Sequence, residues 1–408
     1  MELKKYKKKR ITPQGWKEIT LAEAFNTSSG ATPLSTEASY YENGTIPWIN
    51  SGELASPYIY NTTNFISQVG FENSSTEIYP IDTVLVAMYG ATAGKASLLK
   101  MEACTNQAIC AILPNKDYSS AFLKYSIDTL YDHLVGLSSG SARDNLSQAE
   151  LKKLKLIMPP TKDEQNKLVS ILASIDRKIE LNRAINQNLE AMAKQLYDYW
   201  FVQFDFPNED GKPYKSSGGE MVWSEKLKRE IPEGWDNCTL EYFLTIKNGR
   251  DHKHLAEGLY PVYGSGGEMR RVNENLYRGE SVLMPRKGTL NNIMYVDEAF
   301  WTVDTMFYSE MKIPHCAKYI FFTIKDIDFT RWDSGTGVPS MTVSTFYTLS
   351  MVKPNKNLLK RFDKTLAPIF YKIKQIRVEC EELIKQRDQL LPLLMNDQVS
   401  VNSDLSDG

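Results

Sequence analysis

Tyr89-Gly90-Ala91-Thr92-Ala93-Gly94-Lys95 has the glycines and terminal lysine of a phosphate-cradling loop. Only three residues separate the glycines, however, and Ala96 stands where such loops carry the Ser or Thr that holds magnesium. No nucleotide site is expected there; what the turn can offer is backbone N–H groups and the charge of Lys95 to a DNA phosphate. Asp304 with Glu310 and Lys312 has the residue types of a metal-dependent nuclease, in which carboxylates hold magnesium and a lysine orients the attacking water. His252 and His254 could share a metal, but no carboxylate or cysteine pattern completes the set, and His133 and His315 stand alone. There is no G-x-S-x-G elbow, no dinucleotide fingerprint, and no Asn or Asp followed by Pro-Pro-Tyr. No catalytic residue, metal or cofactor is expected.

What remains suits recognition. The loop Ile46–Leu54 carries Asn50, Ser51 and Glu53, and the loop Ser138–Asn145 carries Ser141, Arg143 and Asn145. With Lys95, and with Arg286, Lys287 and Asn291 further along, these are the candidate DNA contacts, because Asn, Ser, Glu, Arg and Lys read base edges or hold phosphates. They are also ordinary loop residues.

The elements that would position them come in two copies. Pro13, Gly15, Trp16 and Leu21 recur as Pro232, Gly234, Trp235 and Leu240, an offset of 219 at all four. Val84-Leu85 and Gly90 match Val282-Leu283 and Gly288 at 198, and Ser139-Gly140 and Pro159 match Ser334-Gly335 and Pro354 at 195. At the offset of 198 the first copy has Asn106, Ile112 and Pro114 opposite Asp304, Glu310 and Lys312, which argues against a nuclease. Each body holds short β-favouring runs such as 84–88, 108–113, 282–284 and 306–308, bounded by turn residues, and is followed by a long helix. The first helix is expected after Pro160, capped by Thr161 with Glu164, and to run to about Trp200. Leu168, Ile175, Asn182, Leu189 and Leu196 form one heptad register, with Asn182 as a polar register-setter; Ile171, Ile185, Met192 and Tyr199 form the complementary one, broken at Lys178. The second helix, about Leu358 to Met395, has Ile369, Ile376, Leu383 and Leu390 on one register and Leu366, Ile373, Cys380 and Leu394 on the other, broken at Arg387. Pro368 should kink it or mark its start. Rods of about 60 Å with matching seams are expected to pair antiparallel.

The fold class is therefore α+β: two mixed, strand-rich domains joined by two long helices in an antiparallel coiled coil. The expected segments are 1–160 and 232–355 for the two bodies, 161–207 and 356–396 for the helices, 208–231 for a surface linker, and 397–408 for a polar tail. At 408 residues, 42% hydrophobic, 24% charged and 11% aromatic, the chain is that of an ordinary globular protein. No apolar run approaches a membrane span, and the basic cluster of Met1–Arg10 leads into no apolar stretch, so a cytoplasmic location is expected. Five scattered cysteines indicate reduced thiols and no disulfide framework. Residues 17–160 hold 9 basic and 14 acidic residues, and 244–357 hold 14 and 12. Neither body is a basic domain, so tight non-specific DNA binding would need a basic face or a basic partner.

The order of parts resembles the specificity subunit of type I restriction-modification systems. The stretches that carry the likeness are Pro13–Trp16, Ile46–Leu54, Tyr89–Lys95 and Ser139–Ser147. They also include Trp200 through Phe204-Asp205-Phe206-Pro207 and Pro213-Tyr214 to Pro232-Glu233-Gly234-Trp235, and Arg387–Leu394. The resemblance implies two target-recognition domains, each followed by a spacer helix and each reading half of a bipartite double-stranded DNA target. It implies no catalysis and no cofactor of the chain's own, and partnership with two methyltransferase subunits and two ATP-dependent restriction subunits. Because the bodies differ in most residues, the half-sites should differ, and the paired helices would set the gap between them. A metal-dependent nuclease using Asp304, Glu310 and Lys312, or a coiled-coil adaptor that never touches DNA, are the alternatives.

Overall fold

Val84–Ala87, Ala96–Leu99 and Ile109–Ile112 are mostly aliphatic runs in which every residue, Ser97 and Cys110 included, is buried, as expected for strands covered on both faces. They belong to the first of two units in the computed structural model, which describes residues 12–139, 145–332 and 339–399. The units are Met1–Arg183 with Val378–Gly408, and Ala184–Arg377. Four helices pack on their sheets: α1 (Ser120–Asp128), α2 (Lys162–Tyr197), α3 (Ala317–Lys325) and α4 (Lys356–Met395).

In the first unit a five-stranded sheet runs Thr27–Ser29, Ile109–Ile112, Val84–Ala87, Ala96–Leu99, Tyr58–Ile59, with only the last pairing parallel. A smaller sheet places Ile46–Ile49 between Phe65–Ile66 and Cys104–Thr105, and Lys17–Thr20 pairs antiparallel with Lys155–Met158. Successive strand residues point to opposite faces. Val84, Val86, Leu98, Cys110 and Ile112 therefore meet Phe122, Leu123 and Ile127 of α1, Leu168, Val169 and Leu172 of α2, and Leu394 and Met395 at the end of α4. Leu85, Ala87, Leu99, Ile109 and Ala111 pack on Ile49, Leu54, Ile59 and Tyr79 on the other side. Burial of Leu394 and Met395, worth about 1.5–3 kcal/mol each, anchors the far end of α4 in the core of the amino-terminal unit.

The second unit has a six-stranded sheet ordered Leu244–Asn248, Met306–Met311, Tyr277–Pro285, Met294–Thr302, Glu257–Gly264, Gly267–Val272, with one parallel pairing between Met294–Thr302 and Glu257–Gly264. Its core joins Val282 and Met284 to Tyr319, Ile320 and Phe322 of α3, to Tyr197, Trp200 and Phe201 at the end of α2, and to Leu358, Phe362 and Leu366 of α4. The repeat is visible in both units. Asp236–Thr239 pairs with Ser350–Lys353 as Lys17–Thr20 does with Lys155–Met158, and α3 begins 197 residues after α1.

The long helices lie antiparallel within each unit. In the first, Arg387 meets Asp176 at 3.1 Å, while Lys178 and Asn182 reach Glu379 at 2.5 and 3.0 Å. In the second, Asn186 donates to the Ile373 carbonyl at 3.5 Å and Arg377 pairs with Glu190 at 2.9 Å. Leu168 and Asn182 are buried and Ile175, Leu189 and Leu196 half-buried; on α4 Ile376 is buried and Ile369, Leu383 and Leu390 half-buried. The complementary stripe of α2 differs from the expected one. Ile185 and Met192 are exposed, and Gln165, Leu172, Ile179, Asn186, Ala193 and Trp200, one residue out of that register, face inward. A helix covered by a sheet on one side as well as by a partner helix buries a wider face, rotated from a two-stranded seam.

Thr161 and Glu164 exchange the two hydrogen bonds of a capping box at 3.2 Å each. Helix α4 continues through Pro368, whose exposed position lets water satisfy the carbonyl it cannot serve. The stretch read as linker is built: Phe206 stacks between Tyr214 and Trp235, Asp205 accepts from the Ser216 amide and hydroxyl, and Met221–Ser224 pairs with Arg229–Pro232 in a hairpin. Its turn at 225–228 carries none of the Gly or Asn signals that announce a hairpin.

Candidate nucleic-acid interface

In the first unit the candidate residues gather where the strand Val84–Ala87 ends. Asn50 caps the 3-10 helix Ser51–Ala55, and its main-chain N–H donates to Glu53 Oε1 at 2.8 Å. Glu53 Oε1 also accepts from Asn64 at 3.0 Å, and Asn50 Oδ1 accepts from Asn106 at 3.2 Å. Much of the hydrogen-bonding capacity of Asn50 and Glu53 is therefore spent on shaping the loop. The half-buried Ser51 offers its carbonyl to the Thr92 hydroxyl at 2.8 Å, which ties this loop to the glycine-bounded turn. Gly90 and Gly94 have φ of 85° and 79°, a region that favours glycine, and the turn leads into the strand Ala96–Leu99. Phosphate-cradling loops lead into a helix instead. Lys95 is exposed, with Nζ 4.3 Å from the Tyr131 ring centroid. Leu146 N–H donates to Met88 O at 2.7 Å, bringing the exposed Asn145 to the same end; Ser141 and Arg143 lie outside the described residues.

In the second unit Arg286 and Lys287 directly follow the strand Tyr277–Pro285, and both are exposed. Their amides donate to Thr305 O at 2.8 and 3.3 Å, and the Arg286 carbonyl accepts from Met341 at 2.8 Å. Asn291 is spent internally: its amide donates to Asp328 at 3.0 Å and its oxygen accepts from the Phe329 amide at 2.8 Å. The Thr330 hydroxyl and the Asn291 amide hold the Asp328 carboxyl down at about 2.

The nuclease set does not assemble. Asp304 lies in the turn before the strand Met306–Met311, whereas Glu310 is near the far end of that strand, roughly 13 Å beyond Met306 along the extended chain. Glu310 faces Lys247 at 3.7 Å, and Lys312 Nζ donates to Glu241 O at 2.7 Å. Among the described residues no group of three His, Cys, Asp or Glu could hold a metal ion. Burial pushes the Cys104 and Cys238 thiols up to about 11 and those of Cys110 and Cys316 to about 12, away from the thiolate form that a nucleophile needs. An open cleft on α2, lined by Met192, Gln195, Leu196, Tyr199 and Gln203, holds no carboxylate, imidazole or thiol.

Several loop residues at these strand ends escaped the sequence reading. Ala31 and Arg250, 219 apart, both offer a carbonyl to an indole N–H, Trp48 at 3.0 Å and Trp301 at 2.9 Å. Just before them Gly30 and Gly249 run so close to the next strand that a Cβ would stand 2.0 Å from Thr105 O and Val303 O. Around Asp304 hydrogen bonding aligns the copies at 197, with Gln107 opposite Asp304, where sequence matching at 198 gave Asn106. Extending the 219 offset past Leu21 to Gly30 would have found this region.

Two units thus build matching loop-lined strand ends on a duplicated scaffold. Residues 13–191 match the family model of the type I restriction modification DNA specificity domain. The chain is 26% identical to the type I restriction enzyme MjaIX specificity subunit of Methanocaldococcus jannaschii, over 95% of this chain and 94% of that one. It is 20% identical to the EcoprrI specificity subunit of Escherichia coli over 89% and 91%. Its fold is similar to that of a type I restriction-modification S subunit from M. genitalium, with a TM-score of 0.58 at 18% identity, covering 93% of this chain and 96% of that one. Over nearly its whole length the chain is similar to specificity subunits of type I restriction-modification systems, and residues 13–191 match their DNA specificity domain. It is a DNA-recognition component and not a catalytic subunit.

Proposed function

We propose that each unit reads one half of a bipartite, gapped double-stranded DNA target, and that the chain thereby directs methyltransferase and restriction subunits to that sequence. One observation carries this reading: the two units present equivalent strand-end loops furnished with different side chains, Lys95 and Gln107 in one, Arg250, Arg286, Lys287 and Asp304 in the other. A shared scaffold with different polar displays suits two different half-sites. The recognition domains are 1–160 and 232–355, with 161–207 and 356–396 as spacers that set the gap, 208–231 as the connection and 397–408 as a tail. The assembly holds two methyltransferase and two restriction subunits and works in the cytoplasm. No helix among the described residues is long and apolar enough to cross a membrane.

The test is selection from a random DNA pool by the purified chain, with and without a co-expressed methyltransferase subunit, at two salt concentrations. Two short fixed blocks at constant spacing are expected, strongest with the partner. No selection in either condition would leave a coiled-coil adaptor, and mass measurement of the full assembly checks the two-plus-two composition.

A further inference from the structure

Four backbone hydrogen bonds recur, atom for atom, around one exposed residue in each unit. In the first, Ala31 N donates to Thr105 O (3.0 Å), Asn106 N to Ile49 O (3.0 Å), Ile109 N to Asn106 O (3.3 Å) and Met88 N to Ala108 O (2.8 Å). In the second, Arg250 N donates to Thr302 O (2.8 Å), Val303 N to Tyr263 O (3.0 Å), Met306 N to Val303 O (2.9 Å) and Arg286 N to Thr305 O (2.8 Å). Thr105 and Thr302, the first residues of the two clasped turns, are both wholly buried. The clasp draws on three separate loops each time and fixes the backbone of the turn, yet the side chain it displays is exposed: Gln107 in one unit, Asp304 in the other.

The two side chains have opposite hydrogen-bonding character. The Thr32 hydroxyl takes Gln107 Oε1, which leaves the Nε2 amide to donate. Asp304 can only accept, and its carboxylate has no partner among the described residues. The backbone amides of three exposed cationic residues, Arg250, Arg286 and Lys287, close the same turn, and the Asp304 carboxylate would be repelled by any DNA phosphate that approached it. A lone carboxylate at such a surface weakens phosphate binding unless it meets a hydrogen-bond donor, and the donors on base edges in the major groove are the exocyclic amines of cytosine and adenine.

We infer that Asp304 and Gln107 occupy equivalent base-reading positions in the two half-sites, Asp304 accepting from an exocyclic base amine and Gln107 donating to a base-edge acceptor. The inference rests on the DNA-recognition reading above. A rigid turn is what such a contact requires, since discrimination is lost when the reading group can swing to another partner.

The experiment profiles DNA selection and methylation by the chain in complex with its methyltransferase partner, comparing wild type with Asp304→Asn, Asp304→Ala and Gln107→Glu, each checked for an unchanged melting curve. Asp304→Asn and Asp304→Ala should each change preference at a single position of one block, by roughly tenfold or more, with the other block and the gap unaltered. Gln107→Glu should do the same in the other block. Wild-type profiles from all three folded variants would overturn the inference while leaving the function intact. Uniform loss of affinity across all sequences, or unfolding of all three, would assign these residues a structural role and also overturn it. A wild-type complex that selects no sequence would refute the function itself.

Discussion

Asp176 is the point at which the first unit holds both long helices, and its replacement tests how they pair. Its carboxylate is wholly buried on α2 and accepts from Tyr125 Oη of α1 at 2.6 Å, pairs with Arg387 of α4 at 3.1 Å, and stands 3.6 Å from the buried Lys124. Removing one partner of a buried ion pair costs about 3–5 kcal/mol, because the other charge is left desolvated. Here the lower end applies: Lys124 keeps Asp128 at 3.0 Å, and Arg387, about a quarter exposed, keeps Asp388 at 2.8 Å. Asp176→Asn should therefore destabilise the unit by about 3 kcal/mol and Arg387→Met by about 1–2 kcal/mol, since Asp176 would retain Lys124 and Tyr125. The double variant should cost about 1–2 kcal/mol less than the sum, because each change has already removed the partner of the other. Hydrogen exchange of peptides from α2 and α4, read as opening free energies, isolates this unit from the second, which a single global melting curve would not. Additivity within about 0.3–0.5 kcal/mol would show that Asp176 and Arg387 do not interact and would refute the pairing.

Three further outcomes follow from the geometry. Lys287→Ala should weaken binding equally across DNA sequences and lower the slope of log affinity against log salt by about one, measured by titration at several salt concentrations; a change in sequence preference would contradict a phosphate role. Because the Asp328 carboxyl is held down at about 2, the order it lends to Asn291 is complete above the ordinary aspartate value near ~4 and is lost as pH falls through about 2. Protection of the Phe329 amide, which donates to Asn291, should accordingly be flat from pH 8 to 5 and decline only in strong acid, as amide exchange corrected for intrinsic rates would report. A four-residue insertion near Asn182 adds about 6 Å of helix and should lengthen the selected gap by about two base pairs, whereas an unchanged gap would count against the spacer role.

The sequence made the repeat and the long helices legible because both are long-period signals that tolerate local noise. What it obscured were the polar positions of the seam. Arg387 and Lys178 read as breaks in an apolar stripe, yet Arg387 meets Asp176 and Lys178 meets Glu379, beside the Asn182 contact to the same carboxylate. A stripe on one helix cannot reveal that its charges are answered on another some 200 residues away. Those answered charges favour one alignment, since a slip would bury Asp176 against the apolar positions of α4. The outward position of Ile185 and Met192 goes with the inward-facing Asn186 and Ala193 one residue on, a rotation of the buried face that a two-stranded heptad does not encode.

The loops are less legible for a different reason. Residue type makes Asn50, Glu53 and Asn291 candidates for contacting DNA, and their hydrogen bonds also shape the loops on which they sit. Asp304 resembled part of a metal site with Glu310 by residue type alone, but it lies in the turn before the strand Met306–Met311 and Glu310 near that strand's far end. Sequence counts polar groups without knowing which are already satisfied, and a group spent on its own loop has little left for a ligand. The distinguishing quantity is the balance between backbone and side chain: around Gln107 and Asp304 the backbone is held by four hydrogen bonds in each unit and the displayed side chain is exposed. Duplication makes this visible, because the main-chain bonds have survived the divergence of nearly every residue that forms them, while the displayed residue has changed from an amide to a carboxylate. A structural turn would constrain the backbone alone; a reading position must hold the backbone still and leave the side chain free to differ.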